Sequence, residues 1–97
     1  MAEHATIIRI ARFQPAAGKR DELTRQLKEG AAQIRDMEGC FGAQICRSSD
    51  SSDAVVAISR WASQAALDKF LQASAAQRAG LGELLTGTPA TETLSSV

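Results

Sequence analysis

Apolar and polar positions partly alternate along residues 5–13, "ATIIRIARF", with Ile8 and Ile10 on one face and Ile7, Arg9, Ala11 and Phe13 on the other. The β-branched content makes this the first predicted strand. Pro15 and Gly18 in "QPAAGK" end it, because proline brings no ladder donor and glycine permits a turn. Over residues 19–37 the repeat lengthens to that of a helix, and Leu23, Leu27, Ala31 and Ile34 form its apolar stripe. Asp21 with Arg25 and Arg25 with Glu29 read as i,i+4 pairs on the wet side, each worth roughly 0.2–0.5 kcal/mol. In "EGC", Gly39 stands where a helix C-cap belongs, and residues 40–47, "CFGAQICR", predict a second strand. Gly42 inside that strand marks a bulge or a close backbone approach.

"SSDSSD" reads as a polar hairpin loop, and residues 54–61, "AVVAISRW", as a third strand. Val56, Ile58 and Arg60 face one way there, and Val55, Ala57, Ser59 and Trp61 the other. After Trp61 the helical repeat returns: Ser63 is a plausible N-cap, and Ala66, Leu67, Phe70 and Leu71 give a buried stripe running to about residue 75. Residues 75–87 read as a short helical turn interrupted by glycine, carrying Leu81, Leu84 and Leu85. Pro89 closes it, and the threonines of residues 90–97, "ATETLSSV", predict a fourth strand. The order of elements predicts an α+β, ferredoxin-like βαββαβ fold, an antiparallel four-stranded sheet with its helices on one face. The other face, including Val56 and Ile58, then lacks a cover. A second copy packed sheet to sheet is the economical solution, so a homodimer is expected.

Composition narrows the partners. A chain of 97 residues predicts one domain spanning 1–97, and 44% hydrophobic residues are too many for disorder. Eleven basic and eleven acidic residues cancel and are interspersed, which leaves no footprint for nucleic acid or an anionic membrane. An uncharged or weakly charged small molecule is the expected ligand. Without a signal-like N-terminus or a membrane-length apolar run, the expected location is the cytoplasm. Cys40 and Cys46 fall in one predicted strand roughly 20 Å apart, beyond disulfide reach, and read as reduced thiols. His4 is the only histidine, and neither cysteine has a metal-ligand companion, so no metal site is expected.

Three stretches carry a family resemblance: "IIRIARFQPAAGKRDEL", "MEGCFGAQICRS" and "VAISRWASQAALDKFLQA". Together they cover nearly the whole chain, which resembles the antibiotic biosynthesis monooxygenase-like domains, small dimeric α+β barrels. The resemblance implies one of two chemistries. In one branch, anthrones or quinols are oxidised by dioxygen without metal or flavin, the substrate carbanion itself reducing oxygen in a dry pocket. In the other, a histidine on the second helix ligates haem, which is degraded. Trp61 matches the tryptophan shared by both patterns. The chain has no Asn and no Tyr, and Phe70 and Leu71 stand where the haem-ligating histidine belongs, which speaks against haem unless His4 supplies the ligand.

Within this frame, Trp61 is the candidate catalytic wall of an aromatic site, with a plain core plug as the alternative. Ala57, Ser59 and Ala11 are small and share the Trp61 side of the sheet, leaving room for a flat ligand, and Phe70 joins them as a substrate-binding candidate. Gln44 is a candidate hydrogen-bond partner for a substrate carbonyl. Alternation within the strand would put Cys40 and Cys46 on the Gln44 face. Of the strand arginines Arg9, Arg12 and Arg60, Arg9 is the candidate that stabilises a substrate enolate or phenolate. The expected activity is therefore cofactor-independent oxidation of a small aromatic by dioxygen. The alternatives are a non-catalytic dimeric module binding a hydrophobic small molecule and, last, haem degradation.

Overall fold

The structure, a computed structural model, describes residues 6–50 and 53–97. Strand β1 (Ile7–Phe13) leads into helix α1 (Arg20–Ile34), a hairpin of β2 (Cys40–Arg47) and β3 (Val55–Trp61), helices α2 (Gln64–Ala73) and α3 (Ala75–Ala79), a single 3₁₀ turn (Gly82–Leu84) and strand β4 (Ala90–Ser95). The sheet runs β2-β3-β1-β4 with every pairing antiparallel. This is the ferredoxin-like arrangement that the element order predicts.

Register settles which side chains face the helices. Ala11 pairs with Ala57, which in turn pairs with Ile45, and Arg9 pairs with Ser59, which pairs with Ala43. These positions lie under the helices. Ile10, Ile58 and Gln44 form the next row and point to the opposite, uncovered face.

Two clusters hold the helices to the sheet. At one end Ala11, Phe13, Leu23, Val55, Leu81 and Leu84 pack together. The chain is tied down there by main-chain bonds from Ala16 N to Leu84 O and from Thr86 N to Gln14 O, each 2.8 Å. At the other end Trp61, Leu67 and Phe70 pack with Ile7, Ile34, Met37 and Cys40. The Ser63 side chain caps α2 by accepting from Ala66 N at 3.1 Å, as the sequence suggests.

Three local expectations need correction. The register shift between Cys40 and Gly42 turns Cys40 onto the Trp61 side, so it does not share the Gln44 face with Cys46. The extra residue of the bulge, Phe41, is left exposed. Arg25 keeps its partner Glu29 at 2.8 Å but takes Glu22 rather than Asp21 as its second, since i−3 lies closer on the helix surface than Asp21 can bring its shorter carboxylate. Finally, α1 stops at Ile34, and Gly39 lies in the turn beyond it at φ +83°, where it redirects the chain into β2 instead of capping the helix directly.

Candidate functional site

Between the two packed ends the helices stand off the sheet, because the side chains beneath them are small. Ala43, Ala57 and Ser59 on the strands and Gly30 and Ala31 on α1 cannot fill the gap, and a cavity of about 270 Å³ remains. Leu27, Ile34 and Ile45 extend its apolar wall, Phe13 and Leu81 close one side, and Phe70 closes the other. The volume sits just below the range of about 300–1,000 Å³ common for ligand pockets, which suits a compact ring compound.

The expected site residues divide. Arg9, Ala57, Ser59 and Phe70 all border the cavity. Ala11 does not: it is fully buried among Phe13, Leu23 and Val55, one layer away. Gln44 borders the cavity only where its strand passes. Alternation turns its side chain to the far face, where the amide donates to Cys46 Sγ at 3.4 Å. Trp61 is the largest departure, being 0% exposed and behind Phe70, with the two rings stacked at 5.1 Å and 17°. Its indole N–H donates to Ser59 Oγ at 2.9 Å, which satisfies the one polar atom of a ring otherwise surrounded by hydrocarbon. The tryptophan therefore braces Phe70 and Ser59, and these two meet the cavity.

Arg9 is the unusual group. Its guanidinium is half-buried, and among the described residues no carboxylate or carbonyl bonds it. Burial, and after it the positive charge of Arg78, lowers the Arg9 pKa from its ordinary value. Arg78 borders the same cavity but was not a candidate from sequence. The signal was present: Leu67, Phe70, Ser74, Arg78 and Leu81 follow helical spacing, so Arg78 is a cation on a buried stripe. It is obscured because residues 75–87 read as a separate, glycine-broken segment. Arg78 is held from behind, donating through Nη2 to Leu71 O at 2.6 Å and through Nε to Ser74 Oγ at 3.0 Å. At the opposite mouth, Arg25 is occupied by Glu22 and Glu29.

The lining does not suit haem. Phe70 and Leu71 carry no ligating atom, and Phe70 is engaged with Trp61. His4 lies outside the described residues. Among the described residues no cluster of three His, Cys, Asp or Glu side chains could hold a metal ion, and no helix is long and apolar enough to cross a membrane. Cys40 and Cys46 are free thiols.

An antiparallel sheet with helices on one face and a ligand-sized hollow beneath them defines the class, a ferredoxin-like α+β domain with a pocket open to solvent between its layers. Within that class, the chain belongs to the antibiotic biosynthesis monooxygenase family, whose model matches residues 6–80. Among solved structures it is similar to Rv0793 from Mycobacterium tuberculosis, at 30% identity over 95% of each chain with a TM-score of 0.86. A Caulobacter crescentus protein provisionally named an antibiotic biosynthesis monooxygenase is 24% identical, over 97% of this chain and 92% of that one, with a TM-score of 0.85. PA3566 from Pseudomonas aeruginosa is 22% identical over 99% of both chains, with a TM-score of 0.84. The last two show the fold alone. No curated protein matches the chain.

Proposed function

We propose that this protein is a cofactor-independent monooxygenase that oxidises a small ring compound of quinol or anthrone type with dioxygen, working as a homodimer in the cytoplasm. The observation that carries the reading is the half-buried guanidinium of Arg9, bonded by no carboxylate among the described residues, at the wall of a cavity whose floor is mostly Ala, Ile, Leu and Phe and whose mouth is polar. Family membership supports the reaction type, and two free thiols suit a reducing compartment.

The chemistry asks little of the protein beyond this arrangement. In an anthrone-type substrate an activated ring methylene gives its proton to water at the open mouth of the cavity, and the oxygen of the resulting enolate takes its charge beside Arg9, where partial burial strengthens the attraction. The electron-rich carbon passes one electron to dioxygen. Recombination of the radical pair forms the carbon–oxygen bond and, with the proton returned, a hydroperoxide. Loss of water then leaves a carbonyl, so a methylene and dioxygen become a carbonyl and water. Phe70 offers the ring a stacking surface braced by Trp61.

Oxygen uptake tests this directly. With anthrone or a naphthoquinol as probe, the wild type should consume oxygen above the rate without protein, and Arg9→Met should fall to that background. A second reading, a binding module without chemistry, has one observation in its favour. Glu29 is the only carboxylate among the described lining residues, and it accepts from Arg25 at 2.8 Å, so the cavity holds no unengaged base. Saturable binding of the ring compound without oxygen uptake would decide for that reading.

A further inference from the structure

The net charge of zero conceals a local imbalance. Arg9 and Arg78 border one cavity from opposite elements, β1 and α3, and no carboxylate among the described residues pairs with either. A half-buried cation beside a second cation is costly to fold, since water has been removed without a counter-charge being supplied. Arg78 is also pre-aimed. Two of its donor nitrogens are spent on Leu71 O and Ser74 Oγ, which fixes the plane of the guanidinium and leaves Nη1 without a hydrogen-bond partner among the described residues. The same two arginines also border a second, shallower hollow toward Pro89 and Thr91, so the charged end of the cavity stays in reach of solvent.

We propose that the cavity's ligand is an anion: a compact ring compound bearing a carboxylate, whose oxygens are held between Arg9 and Arg78 while the ring lies against Phe70. This deepens the preceding reading and rests on its placement of the ligand in this cavity, but it holds whether or not oxygen chemistry follows. Carboxylate is the natural choice, because planar guanidinium groups bind it through paired, charge-assisted hydrogen bonds. The ligand would supply the counter-charge that the described residues do not. The overall charge balance leads to the expectation of an uncharged or weakly charged ligand; the local placement of Arg9 and Arg78 favours the charged end of that range.

The test compares 2-naphthoate with 2-naphthamide, which have nearly the same shape and differ by one charge, by calorimetric titration of the full chain. The acid should bind about tenfold or more tightly than the amide, and Arg9→Met or Arg78→Met should each bring the acid down to the amide's level without weakening the amide. A structural reading of Arg9 makes the opposite forecast for stability. Because burial lowers its pKa, the Arg9 charge opposes folding at every pH below its folded value, neutral pH included. Arg9→Met should therefore melt no lower than the wild type in the absence of ligand. Equal binding of acid and amide, or acid binding untouched by both substitutions, would overturn the proposal and leave the cavity reading intact. Failure of both compounds to bind would sink the two together.

Discussion

Trp61 shows how a residue can matter to a site without touching it. Fully buried behind Phe70 and bonded to Ser59, it sets the position of two side chains that do border the cavity. Trp61→Ala should cost about 3–5 kcal/mol through the void it leaves, enough to unfold much of so small a domain. Trp61→Phe keeps most of the volume but strands the Ser59 hydroxyl, a loss of about 1–3 kcal/mol. Melting curves should show that drop, while the affinity for 2-naphthoate changes by about threefold or less, since the ring makes no direct contact. A fall as large as that produced by Arg78→Met would make Trp61 a wall of the site after all.

At the scale of elements, the junction between α1, β2 and α2 turns on one glycine. Gly39 sits at φ +83°, and a Cβ there would lie 2.7 Å from the Ala66 Cβ on α2. Its carbonyl also accepts from Ala62 N at 2.7 Å, tying the turn to the start of α2. Gly39→Ala should lose roughly 1–2 kcal/mol to the backbone and roughly 1–3 kcal/mol to the clash. Adding Ala66→Gly relieves only the second. The double variant should therefore be less destabilised than the sum of the two single changes, as denaturant titration of the four proteins would reveal. Strict additivity would mean that the helix shifts aside freely and that the packing at this junction is loose. That Gly39 matters could be read from "EGC", but its role as a contact point with α2 could not, because Ala66 is distant in sequence.

At the scale of the whole molecule, no helix among the described residues covers the second sheet face. Ile8, Ile10 and Ile58 are half-buried there, Val56 is buried, Leu94 is exposed, and every residue of the edge strand β4 is exposed. A monomer of this size gains little by leaving such a surface in water. Sedimentation at micromolar concentration should find a dimer, and Ile58→Asp should shift it toward monomer and lower its melting temperature, with the wild-type value rising with protein concentration. A wild type that stays folded and monomeric at low concentration would contradict this.

Period alone carried the sequence most of the way to the fold: strand alternation, helical spacing, the Ser63 cap and the punctuation by Pro15, Gly39 and Pro89 mark every main element near its observed limits. These are local properties, settled by backbone sterics and by which face is apolar. The small residues Ala57 and Ser59 likewise announced an underfilled space. What local pattern could not decide was the order of layers around it. One extra residue at the β2 bulge moved Cys40 to the other face, and stacking put Phe70 rather than Trp61 against the cavity. Pairing Arg9 with Arg78, 69 positions along the chain, required the sheet and the last helices to be folded together. Periodicity assigns a side chain to a face, but only packing in three dimensions determines which neighbour it meets there and which charges are left without a partner.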